Sequence, residues 1–312
     1  MFLPGKVRHA VGIHWPGITY FRSKINQLPL MFSLNLNGTL LTFDAPLVMG
    51  ILNVNSDSFY AGSRFPDVEH SLAAAHAMAE EGADILDVGG QSTRPGSDRI
   101  TAEEELARVL PVINTLSREL PDMIISVDTY HAEVACQAVA AGARIVNDIS
   151  AGEMDPGMLP AVAGMQVPYV CMHMQGSPET MQSSPRYSDV VAEVMGFFIR
   201  KTRQCRDMGI KDIILDPGFG FGKDLSHNFE LLGSFEVFRE LEMPLLAGLS
   251  RKSMIHRSLG ITAGEALNGT TVLNTVALMK GADILRVHDV RQAKEAVRLM
   301  KAMRDARSVE SR

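Results

Sequence analysis

The stretch EGADILDVGGQSTRPGS, residues 81–97, holds the unit from which the fold can be read. A helix-like segment, VEHSLAAAHAMAEEG (68–82), runs into Gly82. Glycine is the residue that closes a helix most readily, because the left-handed conformation costs it nothing. The chain then turns through Ala83 and Asp84 into an apolar run of strand character. That run ends in Asp87, a Gly pair and the polar loop Gln91, Ser92, Thr93, Arg94. The same join recurs at Gly142-Ala143-Arg144-Ile145 and Gly281-Ala282-Asp283-Ile284, so it marks a repeated helix-to-strand architecture. An ordinary surface turn needs neither the carboxylate nor the arginine. A ligand offering both a positive and a negative group is one reason for a buried strand to end this way.

Outward from this unit the rhythm persists. The apolar runs are LVMGILNV (47–54), ADILDVGG (83–90), IISVDTY (124–130), ARIVNDIS (143–150), PYVCMHM (168–174), DIILDPGF (212–219), PLLAGLS (244–250) and ADILRVH (282–288), eight in all. Helical patterns such as AEEELARVLPVINTLSREL (102–120), AEVACQAVAAG (132–142) and ALNGTTVLNTVALMKG (266–281) lie between them. Strands alternating with helices, with no hairpin signal among them, predict a parallel sheet. Eight strands predict a single α/β domain, a (β/α)₈ TIM barrel over residues 31–312. An open doubly wound sheet would carry a G-x-G-x-x-G turn after its first strand, and GILNVNSDS (50–58) has none. Before the repeat, LNLNGTLLTF (34–43) places Asn37-Gly38 between apolar alternations. That reads as a short N-terminal β-hairpin that could plug the barrel's N-terminal mouth.

The 312 residues are 46% hydrophobic and 21% charged, with a net charge of −6. This balance argues against a nucleic-acid partner and leaves an anionic small substrate open. Cys136, Cys171 and Cys205 are odd in number and lack C-x-x-C spacing; buried free thiols in a reducing compartment are expected. No apolar run is long enough to span a bilayer, so no membrane partner is expected. Residues 1–43 contain no Asp or Glu but hold Lys6, Arg8, Arg22 and Lys24, without an apolar signal core. Residues 1–30 are expected to be a disordered extension or an over-extended start, with Met31 as the true first residue.

In a barrel, chemistry gathers at the C-terminal strand ends. There the sequence places Asn53, Asp87, Asp128, Asn147, Asp148, His173, Asp216, Ser250, Arg251, Lys252, Arg286 and His288. Singly, each has a plain reading. Asn147-Asp148 suits a cap, Asp216-Pro217-Gly218 a turn, His173 a satisfied core histidine, and Arg251-Lys252 a solvated pair. Together they converge on one cup. Two charge zones follow: Asp87, Asp128 and Asp216 with Asn147 for a donor-rich heterocycle, and Arg286, His288 and Arg94 for an anion. No H-E-x-x-H or close His pair supports zinc; a weakly held Mg²⁺ on oxygen ligands fits better. GFGFGK (218–223) lacks Walker spacing, and no G-x-S-x-G elbow is present.

The blocks MGILNVNSDSF (49–59), DVGGQSTRPGS (87–97), SVDTY (126–130), NDIS (147–150), DPGFGFGK (216–223), GLSRKS (248–253) and RVHDV (286–290) resemble the signatures of the dihydropteroate synthase family. The resemblance covers residues 45–290, each block on its own strand. It implies condensation of 7,8-dihydropterin-6-ylmethyl diphosphate with p-aminobenzoate to 7,8-dihydropteroate and pyrophosphate, with Mg²⁺, in the cytoplasm. It also implies a homodimer and competition by sulfonamides at the p-aminobenzoate subsite. Carried over by motif, Asp128, Asn147, Met172, Asp216 and Lys252 hold the pterin. Asn53, Arg286 and His288 hold the diphosphate, with Asn53 linked to Mg²⁺. Thr93, Arg94, Phe221 and Ser250 frame p-aminobenzoate. Asp87, Asp128 and Lys252 are the implied catalytic residues of an SN1-like displacement. The chain departs from the family pattern at Ser56, Ala61 and Gln91, where Pro, Asp and Glu are usual. Two rivals remain at this point: a methyltetrahydrofolate-dependent methyltransferase with the same pocket, and a non-catalytic pterin-binding protein.

Overall fold

The structure is a computed structural model and describes residues 31–54, 68–91, 99–177, 181 and 185–309. Residues 1–30, Ser56, Ala61, Thr93 and Arg94 lie outside the described residues.

The chain begins with a two-stranded antiparallel hairpin, β1 (Phe32–Leu36) and β2 (Thr39–Phe43), paired from Phe32–Phe43 to Leu36–Thr39. Its two-residue turn is Asn37-Gly38, both at positive φ (53° and 88°). This is the conformation that matches the twist of the flanking strands, and Asn-Gly adopts it at least cost.

Eight parallel strands follow: β3 (Leu47–Asn53), β4 (Ile85–Gly89), β5 (Ile124–Asp128), β6 (Ile145–Asp148), β7 (Tyr169–Met172), β8 (Ile213–Asp216), β9 (Leu246–Ala247) and β10 (Ile284–Val287). Each pairs with its sequence neighbour from β3 to β8, β9 pairs with β10, and β10 returns to pair with β3. A parallel bridge between Leu215 and Leu245, with the Leu215 N–H donating to the Pro244 carbonyl at 2.9 Å, joins β8 to β9. The ring is thereby closed, as the eightfold repeat predicts.

Helices fill the connections: α1 (Val68–Glu81), α2 (Ala102–Glu119), α3 (Ala132–Ala140), α4 (Met158–Met165), α5 (Val190–Asp207), α6 (Leu225–Gly233), α7 (Ser253–Leu259), α8 (Leu267–Met279) and α9 (Val290–Val309). The predicted glycine stops are real: Gly82, Gly142 and Gly281 sit at φ 97°, 118° and 92°. At the other end of a helix, Thr101 caps α2 by accepting the Glu104 N–H, while the Glu104 carboxylate accepts the Thr101 N–H. This reciprocal pair satisfies two backbone donors that the first turn leaves without partners.

Strand periodicity sorts the side chains. Leu86, Val88, Ile125, Val127, Val146 and Leu215 face the helices in the main core. Their neighbours Ile85, Ile124, Ile145, Val170, Ile214, Leu246 and Ile284 point into the barrel, where Leu34 and Leu36 of the hairpin pack against them. The hairpin is therefore a stopper in the N-terminal mouth, fastened also by the Asn35 N–H donating to Asp212 Oδ1 at 3.2 Å. Two residues further along each strand, still facing inward, stand Asp87, Asn147, Met172, Asp216 and Arg286, and on β5 Ser126 then Asp128. An apolar floor thus carries a polar layer at the open end.

One sequence expectation is corrected here. Cys171 and Cys205 are buried free thiols, but Cys136 on α3 is exposed. It lies on the solvent side of a helix whose buried stripe is Val134, Ala135 and Ala138.

Candidate active site

The centre of the polar layer is an ion cluster. Arg286 comes from β10, yet its guanidinium lies between two acidic strands. Its Nε donates to Asp87 Oδ2 and its Nη2 to Asp128 Oδ2, both at 2.6 Å. Asn147 Nδ2 donates to the same Asp87 Oδ2 at 2.9 Å. The Asp87 and Asp128 side chains are almost fully buried, while Arg286 is one-fifth exposed toward the cup. Burial raises the Asp128 carboxyl above the usual carboxylate range; the guanidinium opposes this and the Asp87, Asp148 and Asp216 carboxylates add to it. The two charge zones expected from the sequence are therefore not separate: Arg286 sits within the acidic one.

A second group lies across the barrel. Asp216 Oδ1 accepts the Gly218 N–H at 2.8 Å, which folds the turn after β8. Burial raises the Asp216 carboxyl, and Lys252 lowers it. Lys252 Nζ donates to the Phe219 carbonyl and lies 4.9 Å from the centre of the Phe221 ring. Burial pushes its ammonium down to about 8, against the pull of Asp216. Gly248 borders this space: a Cβ there would stand in ordinary contact, 3.7 Å from Lys252 Nζ and 3.9 Å from Asp216 Oδ2. Met172, Tyr130 and Ile149 form an apolar wall with Phe221 and Met154 packed on it. At the rim, Ser250 Oγ and His288 Nδ1 are 3.0 Å apart, and Asn53 is exposed at the end of β3.

Three rim residues serve elsewhere. Asp148 faces the helix layer, where it accepts from the Ser150 and Gly152 backbone and from the Tyr169 hydroxyl, each at 2.7 Å. His173 packs edge-on against Phe197 of α5, and burial lowers its pKa to about 3, so it is neutral. Arg251 forms a two-pronged pair with Asp289 at 2.8 and 2.9 Å. His173 is a core histidine as the plain reading has it, but its Nδ1 is not satisfied, and Asp148 caps no helix; it folds the loop after β6 instead. His173 and His288 do not meet, and among the described residues no His, Cys, Asp or Glu group is clustered to hold a metal.

Two buried charged residues escape the sequence reading. Glu105 of α2 is fully buried; its Oε2 accepts the Thr129 hydroxyl at 2.8 Å, and Oε1 has no partner. Burial pushes this carboxyl up to about 8. Lys223, at the end of the Gly-rich run, donates to three backbone carbonyls. The departure at Gln91 is visible too. Its Oε1 accepts the Ile100 N–H at 2.9 Å and the Tyr130 hydroxyl at 3.3 Å. It thus ties residue 100, beyond the polar loop, to the end of β4.

A guanidinium held between strand-end carboxylates, opposite Asp216 and Lys252, can bind a flat donor-rich ring beside an anion. Comparison with known proteins agrees. Residues 49–288 match the model of the family described as "Pterin binding enzyme". The dihydropteroate synthase of Escherichia coli K12 is 45% identical over 272 residues, which cover 86% of this chain and 96% of that protein. The chain belongs to the dihydropteroate synthase family. It is a transferase of folate synthesis that joins 7,8-dihydropterin-6-ylmethyl diphosphate to p-aminobenzoate. Among solved dihydropteroate synthases, that of Yersinia pestis with a sulfonamide drug superposes with a TM-score of 0.82 at 41% identity, covering 88% of this chain and 100% of that one. That of Xanthomonas albilineans, in complex with 7,8-dihydropteroate, gives 0.78 at 40% identity and covers 88% and 99%. No described helix is long and apolar enough to cross a membrane.

Proposed function

We propose that this chain carries out its condensation as a dissociative displacement, with the residues of the cup in the following roles. Asp128, Asn147, Asp216 and Lys252 bind the pterin, with Met172 against its face. A pterin shows an amino group beside a ring N–H, a pair that a carboxylate accepts in parallel. Arg286, His288 and Asn53 bind the diphosphate. Phe221 and Ser250, with Thr93 and Arg94, frame p-aminobenzoate. The observation that carries this reading is the Asp87–Arg286–Asp128 bridge, which sets one guanidinium and two carboxylates within a single buried layer.

The bond from the exocyclic carbon to the diphosphate oxygen breaks first, and pyrophosphate leaves with the electron pair. The ring nitrogens spread the positive charge left on the carbon, and Asp87 and Asp128 stabilise it electrostatically. The amine of p-aminobenzoate then forms the new N–C bond and loses a proton. Asn53 suits Mg²⁺ as a single neutral oxygen donor, since that ion keeps most of its ligands from water and substrate phosphates. The ion would neutralise charge on the departing pyrophosphate.

A homodimer through α8 and α9 is part of the same proposal. These helices pack side by side and expose Val272, Met279, Leu299 and Met303. A cytoplasmic location fits the two buried free thiols. The test is pyrophosphate release by the purified protein with both substrates, with and without Mg²⁺. Release that requires both substrates supports the reading; pterin affinity without release favours a binding protein.

A further inference from the structure

Lys223 is only 2% exposed, and among the described residues no carboxylate pairs with it. Its Nζ donates to the carbonyls of Gly218 at 2.9 Å, Phe221 at 3.0 Å and His173 at 3.3 Å. Three acceptors converge on one nitrogen, which matches the three N–H groups of an ammonium and gives a neutral amine's lone pair nothing to accept. The cage therefore specifies the charged form, even though burial, opposed by Asp216 and aided by Lys252, draws this group down to about 7.

The acceptors come from two strand ends. His173 follows β7, and Gly218 and Phe221 lie in the loop after β8. That loop is closely built. A Cβ on Gly218 would collide with the His173 carbonyl oxygen, and one on Gly222 with the Gln175 carbonyl oxygen. Asn228 of α6 holds it from the other side, accepting the Gly220 N–H at 2.6 Å and donating to the Lys223 carbonyl at 3.1 Å. The same loop holds both Asp216 and Lys252. The Gly218 N–H fixes Asp216, the Phe219 carbonyl takes the Lys252 ammonium, and the Phe221 ring lies beside that ammonium.

We propose that Lys223 is a positioning residue for the pterin subsite, holding residues 218–221 so that Asp216 and Lys252 present their polar atoms to the ring. It touches no substrate in this account. The inference rests on the assignment of Asp216 and Lys252 to the pterin made above.

The test compares wild type with Lys223→Met, which keeps the length of the side chain and removes the donors. Two quantities are measured: the Kd of a pterin analogue at equilibrium, and the KM of each substrate in pyrophosphate release. The expected result is a rise of about ten-fold or more in pterin Kd and in the KM for the diphosphate substrate. The KM for p-aminobenzoate should rise less, because Phe221 is the one residue of that subsite within the held loop. A folded variant with unchanged pterin affinity overturns the proposal, as does a parallel rise in both KM values. If Lys223→Met does not fold, Asn228→Ala decides, because it loosens the same loop from outside the cage. A selective loss of pterin affinity in that variant supports the proposal, and none overturns it. Absence of pterin binding by the wild type would instead remove the assignment beneath it.

Discussion

Arg286 and Asp128 lie 158 positions apart in sequence and meet at 2.6 Å. The same guanidinium reaches Asp87 through its Nε, so one side chain bridges neighbouring strands. A fork can span two carboxylates where a point charge cannot. Arg286→Ala is expected to raise the KM for the diphosphate substrate at least about ten-fold and to leave two buried carboxylates facing each other. Arg286→Lys should recover little of the loss. Steady-state pyrophosphate release reads both variants, and a near-normal lysine variant would refute the bridging role.

Asp128, with Asp87, is the carboxylate proposed above to stabilise a cation formed in the cup. Asp128→Asn keeps the shape of the side chain and removes its charge. Turnover is expected to fall by about 10²–10³. The pterin Kd should change less than kcat if the main role is in the transition state. Equal losses in both would reassign Asp128 to ground-state binding alone.

Glu105 makes stability depend on pH. Its folded value of about 8 lies above the ordinary 4.5. Between these values the folded protein keeps a proton that the unfolded chain has released, so stability falls as pH rises through the window. Glu105→Gln removes this term and keeps an acceptor for Thr129. Its melting temperature should match wild type near pH 4.5 and exceed it increasingly toward pH 8. The gain at pH 7 is on the order of 3 kcal/mol. A difference constant across that range would count against a protonated Glu105.

The hairpin stopper predicts a separation of stability from binding. Leu34 and Leu36 are 1% and 2% exposed and pack on the barrel floor, at the end away from the polar layer. Either residue changed to Ala should cost about 2–5 kcal/mol in denaturant unfolding. Both substrate KM values should hold steady. A large KM change would mean that the floor and the cup are coupled.

Thiol reactivity should divide one against two. Cys136 is exposed, whereas Cys171 and Cys205 are buried. A thiol reagent on the native protein should modify one residue quickly and the other two only after unfolding. Rapid labelling of all three would contradict the packing of α5 on β7.

The repeat made the barrel legible, since Gly82, Gly142 and Gly281 announce the joins and period-two alternation announces the floor. The strand-end residues could be named for the same reason. Their pairing could not, because nothing in the order of residues says that Arg286 turns toward Asp87 and Asp128 instead of standing with His288. Asp148 was misplaced by one residue of alternation, which sends a side chain to the opposite face of the strand. Glu105 carries a signal in its spacing: it falls on the buried stripe with Val109, Val112, Ile113 and Leu116. Its charge made it look like part of a solvated first turn. Lys223 offered only its place after a run of glycines, and its three carbonyl partners exist only once β7 and β8 are side by side.

The hairpin that fills the foot of the barrel also governs traffic. With that end packed solid by the hairpin and the floor above it, both reactants enter, and pyrophosphate and dihydropteroate depart, through the polar mouth.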